Sequence, residues 1–411
     1  MLTARQALEI ITSMEVKTAG PVNLPLRDAA GCVLAEDVTT VRDIPPFNRS
    51  AMDGYAVRTP DVQNTPVKLK VVAVREAGEE ITVSLKPGEC VKIMTGAAVP
   101  AGADAVVMIE NTRSHDPMHY TEILKAVSPF ENIARQGEDA RAGDVVLREG
   151  RLLSGPALSL AAGVGRSQLK VYPKPELALL QTGGELLEPG QTATGNKIYN
   201  SNATLLTGLI NDTRLAHSRY IGISPDDRRQ LRAAVSDGLK SEVLILTGGI
   251  SKGDFDYVPE VLQSCAVKIQ FQGVKIKPGR PLLFGSTDAG GFVFGLPGNP
   301  VSVMVCFHEF VAPLLRRLAG FRGAVMAADL SARLTAGLGN RAGRTFYCPA
   351  QLSVHNAQLL AEPIPGHGSG DYVSAAEANG VIIVPEDVTT LEAGDTVNVH
   401  CWQMLLAGKK N

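Results

Sequence analysis

Three glycine-containing turns carry the clearest chemical signal in the sequence. Each lies where an apolar run ends and a polar or helical segment begins. They comprise Thr182, Gly183 and Gly184; Thr247, Gly248 and Gly249; and Pro297, Gly298, Asn299 and Pro300. Glycine lets backbone N–H groups approach an anion closely, and a helix N-terminus adds favourable partial charge. Any one of them could be only a tight strand-to-helix connection, but three at one sheet edge favour a site for a phosphate-bearing ligand.

Acidic side chains stand beside these turns. Glu185 follows the first turn directly, Asp226 and Asp227 come where the next helix starts, and Asp254 and Asp256 follow the second turn. Carboxylates next to a phosphate site commonly hold Mg²⁺, which prefers oxygen ligands. The alternative makes Asp226 a helix N-cap and leaves the other carboxylates as solvated loop charges.

A short cationic stretch, VKIKPGRP, places Lys275, Lys277 and Arg280 around a Pro-Gly turn. Arginine grips an oxyanion with a planar fork, whereas lysine acts as a point charge. Ordinary solvated charges at a strand end are the alternative.

Three further candidates lie within the first 140 residues or so of the chain. Asp53 precedes Gly54 inside an otherwise apolar run, Thr95 and Gly96 follow a strand-like run, and Asp139 lies in the polar segment RQGEDARAGD. By residue pattern alone each is compatible with a plain turn.

The segments that must position these residues alternate between two periodicities. Apolar runs over 176–181, 216–224 and 241–249 are typical of strands, and 200–213, 226–239 and 257–265 have helical spacing. Two short strands over 281–286 and 291–298 and a long helix over 299–320 follow. Alternation of this kind predicts a mostly parallel sheet covered on both faces, with the glycine turns at its carboxyl edge, where ligands bind in open α/β folds.

The rest of the chain is rich in β signals. Thr3 can cap an amphipathic N-terminal helix, residues 31–40 resemble a strand, and short β segments fill the region up to about Leu147. Residues 150–172 predict a helix, a glycine turn and a strand. After Gly320 short β segments return, which predicts a separate C-terminal β domain.

Composition excludes several classes of function. The 411 residues carry a formal net charge of -2, which disfavours a broad basic surface for nucleic acid. The six cysteines include no CxxC pair, and no Walker A or Rossmann fingerprint lies between a strand and a helix. With no signal peptide and no apolar run long enough for a membrane span, we expect a cytoplasmic protein that binds neither nucleic acid nor membrane.

Seven ordered motifs together resemble the molybdopterin molybdenumtransferase (molybdenum insertase) family, whose fold also occurs in the C-terminal domain of gephyrin. They are DIPPFNRSAMDGYAV, KIMTGAAVPAGADAVV, RQGEDARAGD, TGGEL, LTGGISKGDFDY, IKPGRP and GLPGNPVS, and the resemblance runs on to GHGSGD near the C-terminus.

The resemblance implies a multidomain α/β plus β architecture in four parts. These are an elongated N-terminal domain (1–40 with 148–172), a β-rich inserted domain (41–147), a three-layer α/β domain with a mostly parallel sheet (173–320) and a C-terminal β barrel (321–411). It further implies a homodimer whose cleft combines the α/β domain of one subunit with the β-rich domain of the other.

The resemblance implies insertion of molybdenum from molybdate into adenylylated molybdopterin, with Mg²⁺ and release of AMP. By motif position, the catalytic residues would be Asp53, Thr95, Glu185, Asp226 and Asp256, of which Glu185, Asp226 and Asp256 would bind metal. The substrate-binding residues would be Asp139, Thr182, Gly183, Thr247, Gly248, Gly249, Lys277, Arg280, Pro297, Gly298, Asn299, Pro300 and Ser369. Partners would be a molybdopterin adenylyltransferase and molybdoenzyme acceptors.

Two positions depart from the family pattern. Gly184 replaces an aspartate that is common in the family, and Arg280 replaces a commoner lysine. A divergent paralogue that acts on tungsten, a molybdopterin-binding scaffold and a molybdopterin adenylyltransferase therefore remain alternative hypotheses.

Overall fold

The computed structural model describes residues 1–79, 83–116, 119–250, 256–340, 343–364, 366–403 and 406–407. The chain divides into two compact units. The first contains residues 1–36, 149–155 and 168 onward, and the second contains residues 37–148 and 156–167.

A six-stranded α/β sheet dominates the first unit. Its strands are β1 (Glu176–Thr182), β2 (His217–Ser224), β3 (Val243–Thr247), β4 (Lys268–Gln272), β5 (Leu283–Ser286) and β6 (Phe292–Leu296). The spatial order is β2-β1-β3-β6-β5-β4, and the first four strands are mutually parallel. Only β5 runs antiparallel to its neighbours, because a hairpin links it to β6. The predicted mostly parallel sheet is confirmed, whereas β4 was missed by the sequence pattern.

Helices cover both faces of this sheet. They are α1 (Ser201–Thr213), α2 (Arg228–Gly238), α3 (Val258–Ser264) and α4, which comprises Pro300–Cys306, a π-helical turn at Phe307–Val311 and Ala312–Leu318. Successive residues of β1 enter different cores: Leu179 packs in the core that contains α1 and α4, and Leu180 packs in the core that contains α2 and α3. This alternation gives three layers and accounts for the almost unbroken apolar strands.

A closed five-stranded barrel follows in the same unit. Its strands are β7 (Leu330–Leu334), β8 (Thr345–His355), β9 (Gln358–Pro363), β10 (Gly380–Val384) and β11 (Thr396–Cys401). Pairing runs β8-β9-β7-β11-β10 and returns to β8. The short segment Ile276–Lys277 pairs with β8, which brings the cationic stretch against the barrel.

The N-terminal helix spans Ala4–Ser13, and Thr3 caps it through a capping box with Gln6, as its sequence predicts. Strand Gln168–Tyr172 pairs with Val22–Pro25 and with Val33–Leu34. The expectation of one continuous strand over 31–40 is wrong. Val33–Leu34 belongs to the first unit, whereas Val38–Thr39 pairs with Val145–Leu147 in the second.

The second unit is built on a six-stranded sheet. Its strands are Gly54–Val57, Val67–Arg75, Glu89–Ile93, Ala105–Met108, Thr112–Asp116 and Tyr120–Ile123. A two-stranded pair of Arg49–Ser50 with Ile133–Ala134 and the helix Gly155–Gly163 complete its main elements. A β-carbon at Gly54 would lie 1.9 Å from the Val107 carbonyl oxygen, so the close strand pairing there requires glycine.

The remaining short elements are the helix Tyr372–Ala375, the 3₁₀ turns Leu26–Asp28, Thr59–Val62 and Ile109–Asn111, and the strand segments Leu186–Leu187, Ile198–Tyr199, Leu338–Gly339, Thr390–Leu391 and Leu406–Ala407. Among the described residues, no helix combines the length and apolar character that a membrane span requires. The division into four domains stays a prediction.

A buried charge cluster joins α4 to the barrel. Glu309, on the π-helical turn, has a side chain only 5% exposed, and its Oε2 lies 2.7 Å from His400 Nδ1. The other His400 nitrogen lies 2.9 Å from Asp329 Oδ1, and the Trp402 indole donates to Glu309 Oε1 over 3.1 Å. Burial alone would lower the pKa of His400, but its hydrogen bonds and charge interactions with Glu309 and Asp329 outweigh this and raise it.

This cluster predicts a pH-dependent stability. Because the folded pKa of His400 exceeds its unfolded value of about 6.5, the stabilisation is complete below about pH 6.5 and is lost as pH rises through the folded pKa. His400→Asn should lower the free energy of unfolding by roughly 3 kcal/mol at about pH 6, because it leaves Glu309 buried without its cation.

Urea unfolding of both proteins from about pH 5.5 to about pH 9 measures this effect, and the difference between them should shrink as pH rises. A difference that stays constant across this range would contradict the charge assignment.

Candidate functional site

The first two glycine turns lie side by side at the carboxyl edge of the sheet. Parallel pairing matches Gln181 of β1 with Thr247 of β3, so the residues after each strand emerge together. Thr182 Oγ1 donates to the Thr247 carbonyl over 3.2 Å, which ties the two turns directly. The geometry is therefore the one that the repeated Thr-Gly-Gly pattern predicts.

Glycine is required where the turns touch. Gly248 has φ +86°, and a β-carbon there would lie 2.6 Å from the Thr182 carbonyl oxygen. Gly249 has φ +63°, and a β-carbon there would lie 2.9 Å from Thr182 Oγ1. Any side chain at either position would push the turns apart.

The third turn joins the other two. The Gly248 N–H donates to the Leu296 carbonyl over 3.1 Å, and a β-carbon on Gly298 would lie 4.0 Å from Gly248 Cα. Pro297 is buried, Asn299 occupies the N-cap position of α4, and Pro300 is the first residue of that helix. All three turns thus converge beside the N-terminus of a long helix, which suits an anion.

Two of the three predicted carboxylates contact the first turn. Asp226 Oδ2 accepts the Gly184 N–H over 3.2 Å, and a β-carbon on Gly183 would lie 2.5 Å from Glu185 Oε2. Asp227 is the residue that caps α2, by accepting from Gln230 N over 2.8 Å. The alternative assignment of Asp226 as the helix cap is therefore wrong, and both Glu185 and Asp226 are exposed.

Asp256 is half-buried two residues before α3, whose first N–H, on Val258, donates to the Gly249 carbonyl over 3.3 Å. Asp254 lies outside the described residues. Within the part of the chain that the structure describes, no three His, Cys, Asp or Glu side chains form a metal-binding cluster.

A cavity of about 750 Å³ lies next to the third turn, between the α/β sheet and the barrel. Of the predicted binding residues, Lys277, Arg280, Pro297, Asn299 and Ser369 line it. Asn299 Nδ2 donates to Ser369 Oγ over 2.7 Å and so links the α4 N-terminus to the C-terminal glycine-rich loop. The cavity size is in the range of small-molecule sites.

Positive charge predominates in this cavity. Lys277, Arg280 and Arg344 line it, against the two carboxylates of Glu362 and Asp371. The Lys277 ammonium lies 4.3 Å from the centre of the Phe346 ring, which fixes its position by a cation–π contact. Such a set can hold a compact oxyanion.

The Asp371 carboxylate accepts hydrogen bonds from residues of its own loop. Backbone N–H groups of Ser374 and His367, and then the Ser374 hydroxyl, donate to its carboxylate and lower its pKa to about 2. The Asp371 carboxylate therefore stays ionised but is occupied by donors of its own loop, and the three cations of the cavity lining still outnumber its two carboxylates.

Two residues in this cavity were missed by the sequence reading. Arg344 precedes β8 and Ser302 lies in the first turn of α4, and both line the cavity. No sequence pattern marks Arg344 as a site residue. It comes near the cationic stretch only because Ile276–Lys277 pairs with β8.

In the second unit the structure brings Asp53 and Thr95 together. Asp53 Oδ1 accepts from the Thr95 backbone N–H over 2.6 Å and from Thr95 Oγ1 over 2.7 Å. These two donors lower the pKa of the Asp53 carboxyl, the backbone N–H most strongly. Two predicted residues that lie 42 positions apart thus form one exposed unit.

Asp139 lies in a segment that is held against the Asp43 region. Its backbone N–H donates to the Ile44 carbonyl over 2.9 Å, while Asp43 accepts from Gln136 Nε2 and from Ala142 N. The Asp139 side chain is exposed. The motifs around Asp53 and Asp139 are therefore packed together and are more than connectors.

Three family models cover most of the chain. Residues 2–165 match the MoeA N-terminal region (domain I and II), residues 178–317 match a probable molybdopterin binding domain, and residues 331–402 match the MoeA C-terminal region (domain IV).

Full-length relatives and a solved structure agree with these matches. The chain is 31% identical over 403 residues to the molybdopterin molybdenumtransferase of Staphylococcus epidermidis, covering 97% of this chain and 95% of the relative. It is 32% identical over 389 residues to that of Haemophilus influenzae, covering 93% and 94%. The molybdopterin biosynthesis moeA protein of Pyrococcus horikoshii superposes with a TM-score of 0.81 at 30% identity, covering 98% of this chain and 100% of that one. The chain therefore belongs to the molybdopterin molybdenumtransferase family.

Proposed function

We propose that the protein inserts molybdenum from molybdate into adenylylated molybdopterin and releases AMP, forming molybdenum cofactor. The observation that carries this proposal is the convergence of three glycine turns beside a cationic cavity at one edge of the α/β sheet. Family membership supports the same assignment.

The turns suit the phosphates of the adenylate. The N–H groups of Gly183 and Gly248 already donate to the Ser224 and Leu296 carbonyls, so the glycines serve to let the pyrophosphate approach the turns without the bulk of a side chain. Helix α4 begins directly after this edge and adds the partial positive charge of its N-terminus. Held in this way, the adenylate is an activated leaving group in a fixed position.

The cavity suits molybdate. Molybdate is a tetrahedral dianion, and Lys277, Arg280 and Arg344 supply three cations around a space that Ser302 and Ser369 also line. Arg280 offers a planar fork of donors, and Lys277 offers a point charge that is steadied by Phe346. Their task is to hold the oxyanion while it meets the dithiolene sulfurs of the pterin.

The carboxylates beside the first turn suit Mg²⁺, with oxygens of the substrate as its other ligands. Glu185 and Asp226 both contact the Gly183–Gly184 turn and are exposed, and Asp256 follows the neighbouring turn. One or two carboxylates with water and phosphate oxygens are the usual surroundings of Mg²⁺, so Glu185 and Asp226 suffice for the site. When bound, the ion would neutralise phosphate charge and aid departure of AMP.

Asp53 and Thr95 are proposed as catalytic residues from the β-rich part, and Asp139 as a substrate-binding residue. The two hydrogen bonds from Thr95 keep the Asp53 carboxylate ionised and lower its pKa, which makes it a weak base and suits it to orient a donor group of the substrate. We further propose that the protein works as a cytoplasmic homodimer that receives its substrate from an adenylyltransferase and passes the cofactor to molybdoenzymes.

Two other functions use parts of the same site. An adenylyltransferase would need the α/β part alone, whereas the cavity here also requires Arg344 and Ser369 from the barrel. A molybdopterin-binding scaffold would need no cationic cavity for a second anion. An assay of purified protein with adenylylated molybdopterin, Mg²⁺ and molybdate separates the three, since only the transferase releases AMP in response to molybdate.

Arg280→Ala and Arg344→Ala should each lower molybdate-dependent AMP release on the order of 100-fold, because each removes one preorganised donor to the oxyanion. Arg232→Ala, on the exposed face of α2, is the matched control and should behave as the wild type. Wild-type rates in both cavity variants would disprove the oxyanion assignment.

Gly184→Asp should raise the affinity for Mn²⁺, used as a paramagnetic substitute for Mg²⁺, by about tenfold. The backbone at Gly184 does not require positive φ, and its β-carbon would lie 3.7 Å from Asp226 Oδ2, so the new carboxylate joins an existing one. Glu185→Ala and Asp226→Ala should weaken binding. Electron paramagnetic resonance measures the free ion, and unchanged affinity in all three variants would place the metal elsewhere.

A further inference from the structure

A group of buried polar side chains lies beneath the three glycine turns, and only Thr247 among them is a predicted substrate-binding residue. Its members are Gln181, Asn202 and Thr247, here called the polar node, with exposures of 0%, 9% and 2%. Gln181 precedes the first turn, Thr247 begins the second, and Asn202 lies in the first helical turn of α1.

Hydrogen bonds connect the node to the second and third turns. Thr247 Oγ1 donates to Gln181 Oε1, and Asn202 Nδ2 lies 3.5 Å from the same Thr247 hydroxyl. Asn202 Nδ2 also donates to the carbonyl of Gly298 over 2.7 Å. Asn202 is therefore the one described side chain that bridges the second turn and the third.

Packing alone gives no reason for these residue types. The neighbouring strand residues Leu180 and Leu246 are fully apolar and buried, and apolar side chains at the node would avoid the desolvation of three polar groups. Gln181 Nε2 and Asn202 Oδ1 are buried without any hydrogen-bond partner among the described residues. Buried unpaired polar atoms are costly and are retained chiefly where they serve a purpose beyond packing.

The role of Asn202 follows from the residues that come after Gly298 in the chain. The residue after it, Asn299, reaches Ser369 in the barrel loop, and Ser302 lines the cationic cavity. The second turn, in contrast, contacts Thr182 and so belongs to the phosphate-binding edge. Asn202 thus stands between the part of the site suited to phosphate and the part suited to molybdate.

We propose that Asn202 is a positioning residue that holds the molybdate cavity in register with the phosphate-binding turns. The proposal rests on the proposed function for its catalytic consequence, although its structural consequence can be measured without it. Asn202 touches no reacting atom, and its effect passes through the Gly298 carbonyl and the Thr247 hydroxyl.

Hydrogen–deuterium exchange tests the structural consequence. Asn202→Ala and the isosteric Asn202→Asp both remove the Nδ2 donor, so exchange in peptides covering 295–303 and 247–250 should rise on the order of tenfold, with strand β8 unchanged. Asn211→Ala, at an exposed position of the same helix, should leave all peptides as in the wild type. If Asn202→Ala does not fold, the exchange rates of Asn202→Asp alone test the proposal.

Steady-state kinetics test the catalytic consequence. The same variants should lower kcat about 30-fold while the KM values for molybdate and for adenylylated molybdopterin change less than about threefold, because each half of the site still binds its own ligand. A variant with wild-type kcat and a merely lowered Tm would make Asn202 a structural residue and overturn the proposal.

The two measurements separate the two levels of inference. If wild-type protein releases no AMP in response to molybdate, the proposed function fails, and exchange data still judge whether Asn202 fixes the turns. If wild-type protein is active and exchange at 295–303 is unchanged in Asn202→Asp, the positioning role fails and the function stands.

Discussion

Parallel pairing of β1 with β3 is the constraint on which the site depends. Because Gln181 is in register with Thr247, both Thr-Gly-Gly turns leave the sheet at one level, and the Thr182 hydroxyl can reach the Thr247 carbonyl. A shift of one residue would bury the turns or separate them, and it would also exchange the two faces of the strands. The strands tolerate no such shift, since Leu179 and Leu180 pack into different cores.

The barrel extends this edge into a cavity. Segment Ile276–Lys277 leaves the α/β part to pair with β8. This pairing places Lys277 near Phe346, and Arg280 and Arg344 line the same cavity. On the far side of α4, Glu309, His400 and Asp329 fasten the same helix to the barrel. The helix that begins at the site is therefore anchored at its N-cap, where Asn299 bonds to Ser369, and at its middle, where Glu309 lies.

Much of this arrangement could be predicted from local pattern. The apolar strands, the capped helices and the common edge of the glycine turns follow from periodicity and turn chemistry, and the ordered motifs identify the family. Features that depend on long-range pairing could not be predicted. Arg344 enters the site only through the register of β8, and the strand over 31–40 divides between two units because Val38–Thr39 finds a partner over 100 residues away. The polar node could not be predicted either, because the sequence does not show that Gln181 near a strand end and Asn202 at the start of a helix are buried and in contact with the same threonine.

The central claim is that one edge of the sheet binds the adenylate phosphates while the adjoining cavity binds molybdate. A crystal soaked with adenylylated molybdopterin and molybdate, measured at the molybdenum absorption edge, tests it directly. We predict an anomalous peak among Lys277, Arg280 and Arg344, with phosphate density against the Gly183, Gly248 and Gly298 turns at the start of α4. Molybdenum outside that cavity, or phosphates away from the three turns, would contradict the account.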